Sequence, residues 1–326
     1  MDRRVRDRLL TALARIHDPH RMGHSAPHEL DACPLCASRD ALVGHKSRAA
    51  AIVQCARCGL VMRSPQPSDE RLQAIYGPDY FFGSGDSDLE AATSALKSAT
   101  ADLYLDAIAA YRASQGLPTT GLTLLDIGCG HGDLMASAKA RGYDVHGTDV
   151  SADAVQRVRS RLGSAAATCD PDGKAALPGP FDVCVLSDVI EHARDPRSLL
   201  LHVRTLLKPD GTLFISTPSV SHWQARLLGR HWMEFKEEHL FYFDPRTLRM
   251  LVGECGYGEL ALHASRKALS LDYVTAHFRR FPVPLLTPAI AGLQRLMPAT
   301  IRRWPVSLPT GGLVLVARPA PPGLST

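Results

Sequence analysis

Three groups of residues in this chain have types and spacings that can do chemistry. The first is Asp126 with Gly128, Gly130 and Gly132, followed by Asp149 nineteen residues after Gly130. Glycines at 128 and 130 let the backbone turn sharply and bring its amides close to a ligand with no Cβ in the way. A carboxylate at 149 can accept hydrogen bonds from two ribose hydroxyls, so the group forms a nucleoside cradle. The second is Cys33-x2-Cys36 and Cys55-x2-Cys58, with eighteen residues between the pairs. Each pair can turn both thiolates toward one ion, and Pro34 and Gly59 help the tight turns that aim backbone amides at the sulfurs. Four thiolates leave no open position, so the metal expected is a structural Zn2+ rather than a catalytic one. The third is the run Trp232 to Phe243, with Glu238-His239 inside it. A neutral histidine beside a carboxylate is the obvious general base, and His192, beside Glu191, competes for that role.

Elements must position these groups, and the hydrophobic pattern supplies them. Leu122–Ile127 is an apolar run of strand length, a helix can begin at His131, and Val145–Asp149 is a second strand. Residues 165–170 make a third strand ending in Cys169-Asp170, and Phe181–Ser187 a fourth, apolar enough to be buried on both faces. It runs straight into Asp188-Val189-Ile190-Glu191-His192. Leu199–Leu207 is apolar at helical spacing, Lys208-Pro209-Asp210-Gly211 is a stop and turn, and Thr212–Thr217 is a further strand. Asp244 caps a helix with Pro245 in its first turn, running to Gly256. Gly258–Ala264 and Gly312–Ala317 form a closing antiparallel pair. Alternating strands and helices predict an α/β domain with a doubly wound, mostly parallel sheet and a ligand at the carboxyl ends of its strands.

Charge narrows the ligand. Asp126 sits in the strand two positions before the first glycine, and no basic residue lies in the turn. A pyrophosphate prefers bare helix N-terminal amides, whereas a carboxylate there favours a ligand with a cationic amino group. S-adenosylmethionine has such a group and a sulfonium. The arrangement resembles the first two motifs of class I S-adenosylmethionine-dependent methyltransferases. Asp188–His192 looks like that family's loop bordering the donor pocket, and the series Lys208-Pro209-Asp210-Gly211-Thr212-Leu213 resembles its segment before the fifth strand. The resemblance implies a Rossmann-like seven-stranded sheet. It also implies a donor held by Asp126, Gly128, Gly130, Gly132, Asp149 and Val150, with Asp170 at the adenine edge and Ser187 and Asp188 beside the pocket.

The four cysteines have the spacing of a zinc ribbon, and the chain carries no export signal that would favour disulfides instead. Cys129, Cys169, Cys184 and Cys255 are dispersed in or beside strands as small packing residues. A ribbon followed by Leu60–Pro67, Leu72–Tyr76 and Asp79-Tyr80-Phe81-Phe82, ahead of such a domain, resembles bacterial methyltransferases of sugar, polysaccharide and natural-product pathways. In that arrangement Tyr76, Tyr80 or Phe81 line an acceptor pocket; equally, they pack the module on the main domain. Glu238-His239 with Tyr242-Phe243 is similar to a segment of sugar C-methyltransferases in which a histidine and a neighbouring carboxylate take the proton. Related enzymes with other acceptors carry similar Glu-His-Leu segments, where the histidine only caps or hydrogen-bonds.

Composition bounds the rest. At 326 residues the chain has room for one large domain and an appended module. The pattern divides it into an N-terminal amphipathic helix within 1–30, the ribbon over 31–65, a helical acceptor-side segment over 66–118 and the core over 119–264. A basic, proline-rich insertion over 265–311 and a final strand and tail over 312–326 complete it. Hydrophobic content of 45% without a long apolar run predicts a cytoplasmic protein with no membrane-spanning helix. Residues 273–326 hold six arginines and no acidic residue, while the remainder is slightly acidic, with 31 basic residues against 33. Three roles suit this insertion: a lid over an anionic small-molecule acceptor, a patch touching an anionic membrane, or a nucleic-acid contact. The last is disfavoured, because the chain has no Asn/Asp-Pro-Pro-Tyr/Phe motif and its ribbon no basic run. A plain, solvated helical pair is the fourth. RNA or protein methylation, and a non-catalytic donor-binding scaffold, remain the alternatives in function.

Overall fold

Alternation of buried side chains along the strands decides how this chain is layered. The computed structural model describes residues 27–39, 42–44, 52–76, 87–163, 166–170, 176–229, 232–280 and 282–321. The helix expected within Met1–His17, and Tyr80 and Phe81, lie outside them. Strands β1 (Leu42–Gly44), β2 (Ile52–Cys55) and β3 (Val61–Arg63) pair antiparallel in sequence order. Helix α1 (Asp69–Ile75) follows, its N-cap Ser68 accepting from the Arg71 amide, and then the long α2 (Ser87–Ser114). The main domain continues with β4 (Thr123–Ile127), α3 (Asp133–Ala140), β5 (Asp144–Asp149), α4 (Ala152–Leu162), β6 (Ala167–Cys169) and β7 (Phe181–Ser187). It proceeds through α5 (Pro196–Leu206), β8 (Leu207–Pro218), α6 (Trp223–Leu228), β9 (Phe241–Tyr242), α7 (Pro245–Glu254) and β10 (Tyr257–Leu269). Helices α8 (Leu271–Arg280), α9 (Leu286–Leu296) and α10 (Ala299–Arg302) precede β11 (Val306–Pro319).

The seven-stranded sheet has the order β10-β11-β8-β7-β4-β5-β6, with β6 to β8 parallel and β11 antiparallel to both neighbours. The chain winds outward from β4 to β6, then crosses to β7 on the other side of β4. The crevice between the carboxyl ends of β4 and β7 is therefore the topological switch point, where ligands bind in open α/β sheets. Side chains alternate across the sheet with the two-residue period of strands. Leu124, Val183, Val185, Phe214, Val314 and Val316 face α2, α3 and α4. Leu125, Cys184, Leu186, Leu213, Ile215 and Leu315 face α5 and α7, in one cluster with Leu35, Leu60 and Met62 of the cysteine module.

Three boundaries differ from the expected ones. Helix α3 begins at Asp133 rather than His131, because Gly132 is its N-cap in the left-handed region, φ +75°. The expected turn at Lys208–Gly211 is an excursion within β8: Phe181 pairs with Leu207 and Val183 with Thr212, so three extra residues loop out of the ladder. The closing hairpin does not end at Ala264. Arg266–Leu269 pair on with Val306–Pro309, so the insertion is the capped tip of a longer hairpin and its helical part spans 271–302. The sheet of the cysteine module takes its fourth strand from the far side of the sequence: β9 pairs antiparallel with β3.

Candidate functional site

At the switch point the turn after β4 is held against β5 by backbone bonds. The amides of Gly128 and Cys129 donate to the Thr148 carbonyl at 2.7 and 3.0 Å. Gly128 has φ +72°, and a Cβ there would lie 2.6 Å from Val189 Cγ2, so side chains are excluded for two separate reasons. Asp149 ties both turns together: its Oδ2 accepts from the Gly130 amide and its Oδ1 from the Ser151 amide, each at 2.8 Å. Beneath it, Asp126 is buried, and burial together with the neighbouring Asp149 and Asp133 pushes its carboxyl up to about 8. A buried carboxyl of this kind is matched by a ligand cation, which returns the charge that burial suppresses. The cradle and its chemistry thus fit a nucleoside with a cationic amino group.

A cavity of about 1630 Å³ opens from this turn. Asp126, Gly128, Gly130, Asp149, Val150, Asp170, Ser187 and Asp188 all border it. Gly132 does not. It packs against α4 instead, where a Cβ would meet Val158 Cγ2 at 2.9 Å. Asp188 is already engaged: Lys267 reaches its Oδ2 at 2.6 Å and Ser216 Oγ its Oδ1 at 3.3 Å. Ser187 Oγ lies 3.2 Å from the same Ser216.

The far end of the same cavity gathers Tyr76, Glu191, His192, Glu234, Lys236, Glu238 and His239. The rings of His192 and His239 stand edge to face with centroids 4.7 Å apart. Burial, then the nearby Lys236, lowers His192 to about 4; burial, then His192 and Lys236, holds His239 well below the usual histidine value. Both imidazoles are therefore neutral at physiological pH. His239 Nδ1 is buried without a hydrogen-bond partner, 3.9 Å from Glu234 Oε2. His192 Nδ1 is 3.0 Å from the Tyr76 hydroxyl and 3.1 Å from the Glu238 carbonyl. One ring nitrogen cannot accept from the first and donate to the second at once, so its tautomer selects one. Glu191 bonds Thr217 Oγ1 through Oε2, leaves Oε1 unpartnered, and is pushed up to about 8 by burial and by Asp188. Glu191, His192 and His239 also offer ligand atoms within 4.8 Å of one another, close enough to bracket a metal ion.

Long-range bonds place these groups. The Leu240 and Phe241 amides both donate to the Glu191 carbonyl, at 2.8 and 3.2 Å. Arg63 Nη2 donates to the Lys236 carbonyl at 2.8 Å, and Arg71 forms a two-pronged pair with Glu237. Arg194 grips Asp69, Gln66 and the Pro67 carbonyl, joining the loop after β7 to the cysteine module. Lys267 and Glu234 escaped the sequence reading. Lys267 stands in a strand segment that looked like the start of the insertion, and no local pattern pairs it with Asp188. Burial pushes Glu234 up, but Lys236 at 3.0 Å and Lys267 hold it below the usual value, so it is ionised. The arginines of the insertion, by contrast, do not border the cavity among the described residues. Arg302 and Arg303 turn to Asp272, and Arg279 to Gln294. The insertion's helices contribute Tyr273, His277, Phe278, Leu286 and Ile290 to the wall, and its returning strand Leu308.

The four cysteines of the N-terminal module converge. Their sulfurs lie within 4.8 Å of one another, with Cys33 to Cys58 at 3.4 Å and Cys36 to Cys55 at 3.6 Å. All four are free thiols. A disulfide would need about 2.0 Å, whereas four sulfurs about 2.3 Å from one zinc stand roughly 3.8 Å apart. Knuckle amides of Leu35 and Cys36 face the Cys33 sulfur, and those of Arg57 and Cys58 face Cys55. The set fits a closed tetrahedral metal site.

Comparison with known proteins identifies a methyltransferase domain in the chain. Residues 97–262 match the model of a methyltransferase domain family. The chain is 36% identical over 106 residues to a protein of Thiobacillus denitrificans called ubiquinone biosynthesis O-methyltransferase, covering 31% of this chain and 46% of that one, under half its length. To a protein of the same name from Cereibacter sphaeroides it is 34% identical over 190 residues, covering 51% of this chain and 77% of that one. A solved structure of the Burkholderia thailandensis 1,6-didemethyltoxoflavin-N1-methyltransferase is 15% identical, covers 80% of this chain and 96% of that one, and has a TM-score of 0.48. Among the described residues no helix is long and apolar enough to cross a membrane.

Proposed function

The chain belongs to the class I S-adenosylmethionine-dependent methyltransferases, and on that premise we propose that it transfers the methyl group to a small-molecule acceptor held beside His239. The observation that carries this is the single cavity running from the Asp126–Asp149 turn to the paired histidines. Asp126 would bind the donor's amino group, Asp149 its ribose and Asp170 the adenine edge. S-adenosylmethionine supplies an electrophilic methyl carbon. This chain's own residues hold the two reactants in line and keep bulk water away.

Where the acceptor must lose a proton, the neutral imidazole of His239 takes it. The ionised Glu234, whose Oε2 lies 3.9 Å from the buried Nδ1, would stabilise the imidazolium. Glu238 then shapes the pocket, and its carbonyl orients His192. The likeness to proteins named for O-methylation favours a hydroxyl as the acceptor. A saccharide or natural-product hydroxyl or carbon is the second reading, supported by Tyr76, which the cysteine module's exit helix brings into the cavity wall. The four thiolates we assign to a structural zinc.

The test is His239→Asn, which keeps size and polarity but cannot take the proton. Turnover of a hydroxyl acceptor should fall by about 10²- to 10⁴-fold, with S-adenosylhomocysteine binding retained. Full activity would reduce the mechanism to proximity alone.

A further inference from the structure

The insertion turns the wrong face to water. In α9 the exposed positions Leu286, Ala289, Leu293 and Leu296 recur at spacings of three, four and three, which is one face of a helix. The inward positions Thr287, Ile290 and Gln294 are only half-buried, and no residue of the helix is fully buried. Single exposed leucines are ordinary, whereas a contiguous stripe of them marks a contact surface. The stripe continues: Leu296 is 84% exposed, and Ile301 and Trp304, just beyond it, 55% and 70%. Across the cavity mouth, α6 presents Trp223 and Leu227 at 60% and 73%. Leu286, Trp223 and Leu227 also line the cavity, so the stripe and the mouth are one continuous surface.

We infer that this surface docks on an anionic lipid bilayer, with the mouth of the cavity turned toward the headgroups. The charge around the stripe selects that occupant. Arg295 is the only charged residue of α9, the exposed Arg303 shares the single carboxylate of Asp272 with Arg302, and residues 273–326 contain no carboxylate side chain, so the face stays net basic. Two copies of this face would set arginines against arginines, while anionic headgroups neutralise them. Trp304 and Trp223 are the amphipathic kind of side chain that settles at headgroup depth. At eleven residues α9 is about 16 Å long, too short to span, so it lies in the interface plane. Binding to the bilayer is independent of methyl transfer.

Sedimentation of the full chain with phosphatidylcholine vesicles, with and without 30% phosphatidylglycerol, tests it. The protein should pellet with the anionic vesicles, be released by salt, and show a blue-shifted tryptophan emission when bound. Leu293→Glu with Leu296→Glu should cut the bound fraction at least about tenfold, and Arg295→Glu with Arg303→Glu should abolish the preference for phosphatidylglycerol. Both pairs are exposed and outside the cavity wall, and each variant should bind S-adenosylhomocysteine like the parent. Absence of pelleting with either vesicle, or pelleting that neither pair reduces, would overturn the proposal. So would a dimer in size-exclusion chromatography that the leucine pair dissociates, because the stripe would then be a protein interface.

Discussion

Replacing Asp126 with asparagine should remove both the strength and the pH dependence of donor binding. The carboxyl is buried between Asp149 and Asp133 and titrates at about 8. A cationic amino group binds its ionised form, which is about one molecule in ten at pH 7 and about one in a hundred at pH 6. Affinity should therefore drop about fivefold from pH 8 to 7 and about ninefold from pH 7 to 6, roughly 50-fold or about 2.3 kcal/mol in all. Above pH 8 Asp126 is mostly ionised, so affinity should level off there. The sign follows from the raised value: proton uptake by Asp126 competes with the ligand, and binding at pH 7 should release nearly one proton. Asp126→Asn is close in shape and carries no charge. It should lose a charge-assisted hydrogen bond of roughly 1.5 to 3 kcal/mol at pH 8, about 10- to 150-fold in Kd. Between pH 6 and 8 the variant should be flat, so the two curves should meet near pH 6. Isothermal titration calorimetry with S-adenosylhomocysteine measures this, and 5′-methylthioadenosine, which lacks the amino group, serves as a flat control. A parent Kd unchanged from pH 6 to 8, or a variant that keeps the slope, would refute the reasoning.

Two further substitutions probe the other ends of the site. Asp149→Ala should weaken binding of S-adenosylhomocysteine and of 5′-methylthioadenosine alike, by about 1.5 to 3 kcal/mol for each ribose bond lost. It should also loosen the turn, because the Gly130 and Ser151 amides lose their acceptor; unchanged calorimetric affinity for both ligands would remove Asp149 from the donor site. Cys55→Ser should lower the zinc content, measured by plasma mass spectrometry, from one per chain to a small fraction, and destabilise the module by several kcal/mol, on the order expected for loss of a structural metal. Donor affinity should be nearly unchanged in that variant while turnover collapses. A fully active, metal-free protein would exclude the zinc assignment.

What the sequence made legible was local. Asp126, Gly128, Gly130 and Asp149 sit within one strand-turn-strand unit, and their spacing alone brings them together. Strand β7 lies where its apolar run begins and ends, Phe181–Ser187, because seven residues after Gly179-Pro180 are too short for a helix and rich in β-branched and aromatic side chains. The sites that were hidden depend on partners far along the chain. Lys267 meets Asp188 across 79 residues, and Arg63 reaches the Lys236 carbonyl across 173. Arg112 is buried in α2, where it donates to Pro118 and Asp182 carbonyls and to Thr212 Oγ1. Nothing in its neighbourhood in sequence distinguishes it from a solvated arginine. Prolines in the insertion likewise masked the continuation of the hairpin at Arg266–Leu269, whose partners return only after the three helices.

The pairing of β3 with β9 bears on how such a protein can change its substrate over evolutionary time. Val61 faces Tyr242 and Met62 faces Phe241, and Glu238-His239 stands immediately before that edge. The N-terminal module and the strand that follows Glu238-His239 thus form one small sheet, although more than 170 residues separate them. Grafting a foreign ribbon onto this core would leave the loop without its template, and grafting a foreign loop would leave the ribbon with a bare edge. On the proposed reading, acceptor specificity would be inherited as a pair of distant segments, and recombination that breaks the pair should yield chains that hold the donor but no longer turn over the acceptor.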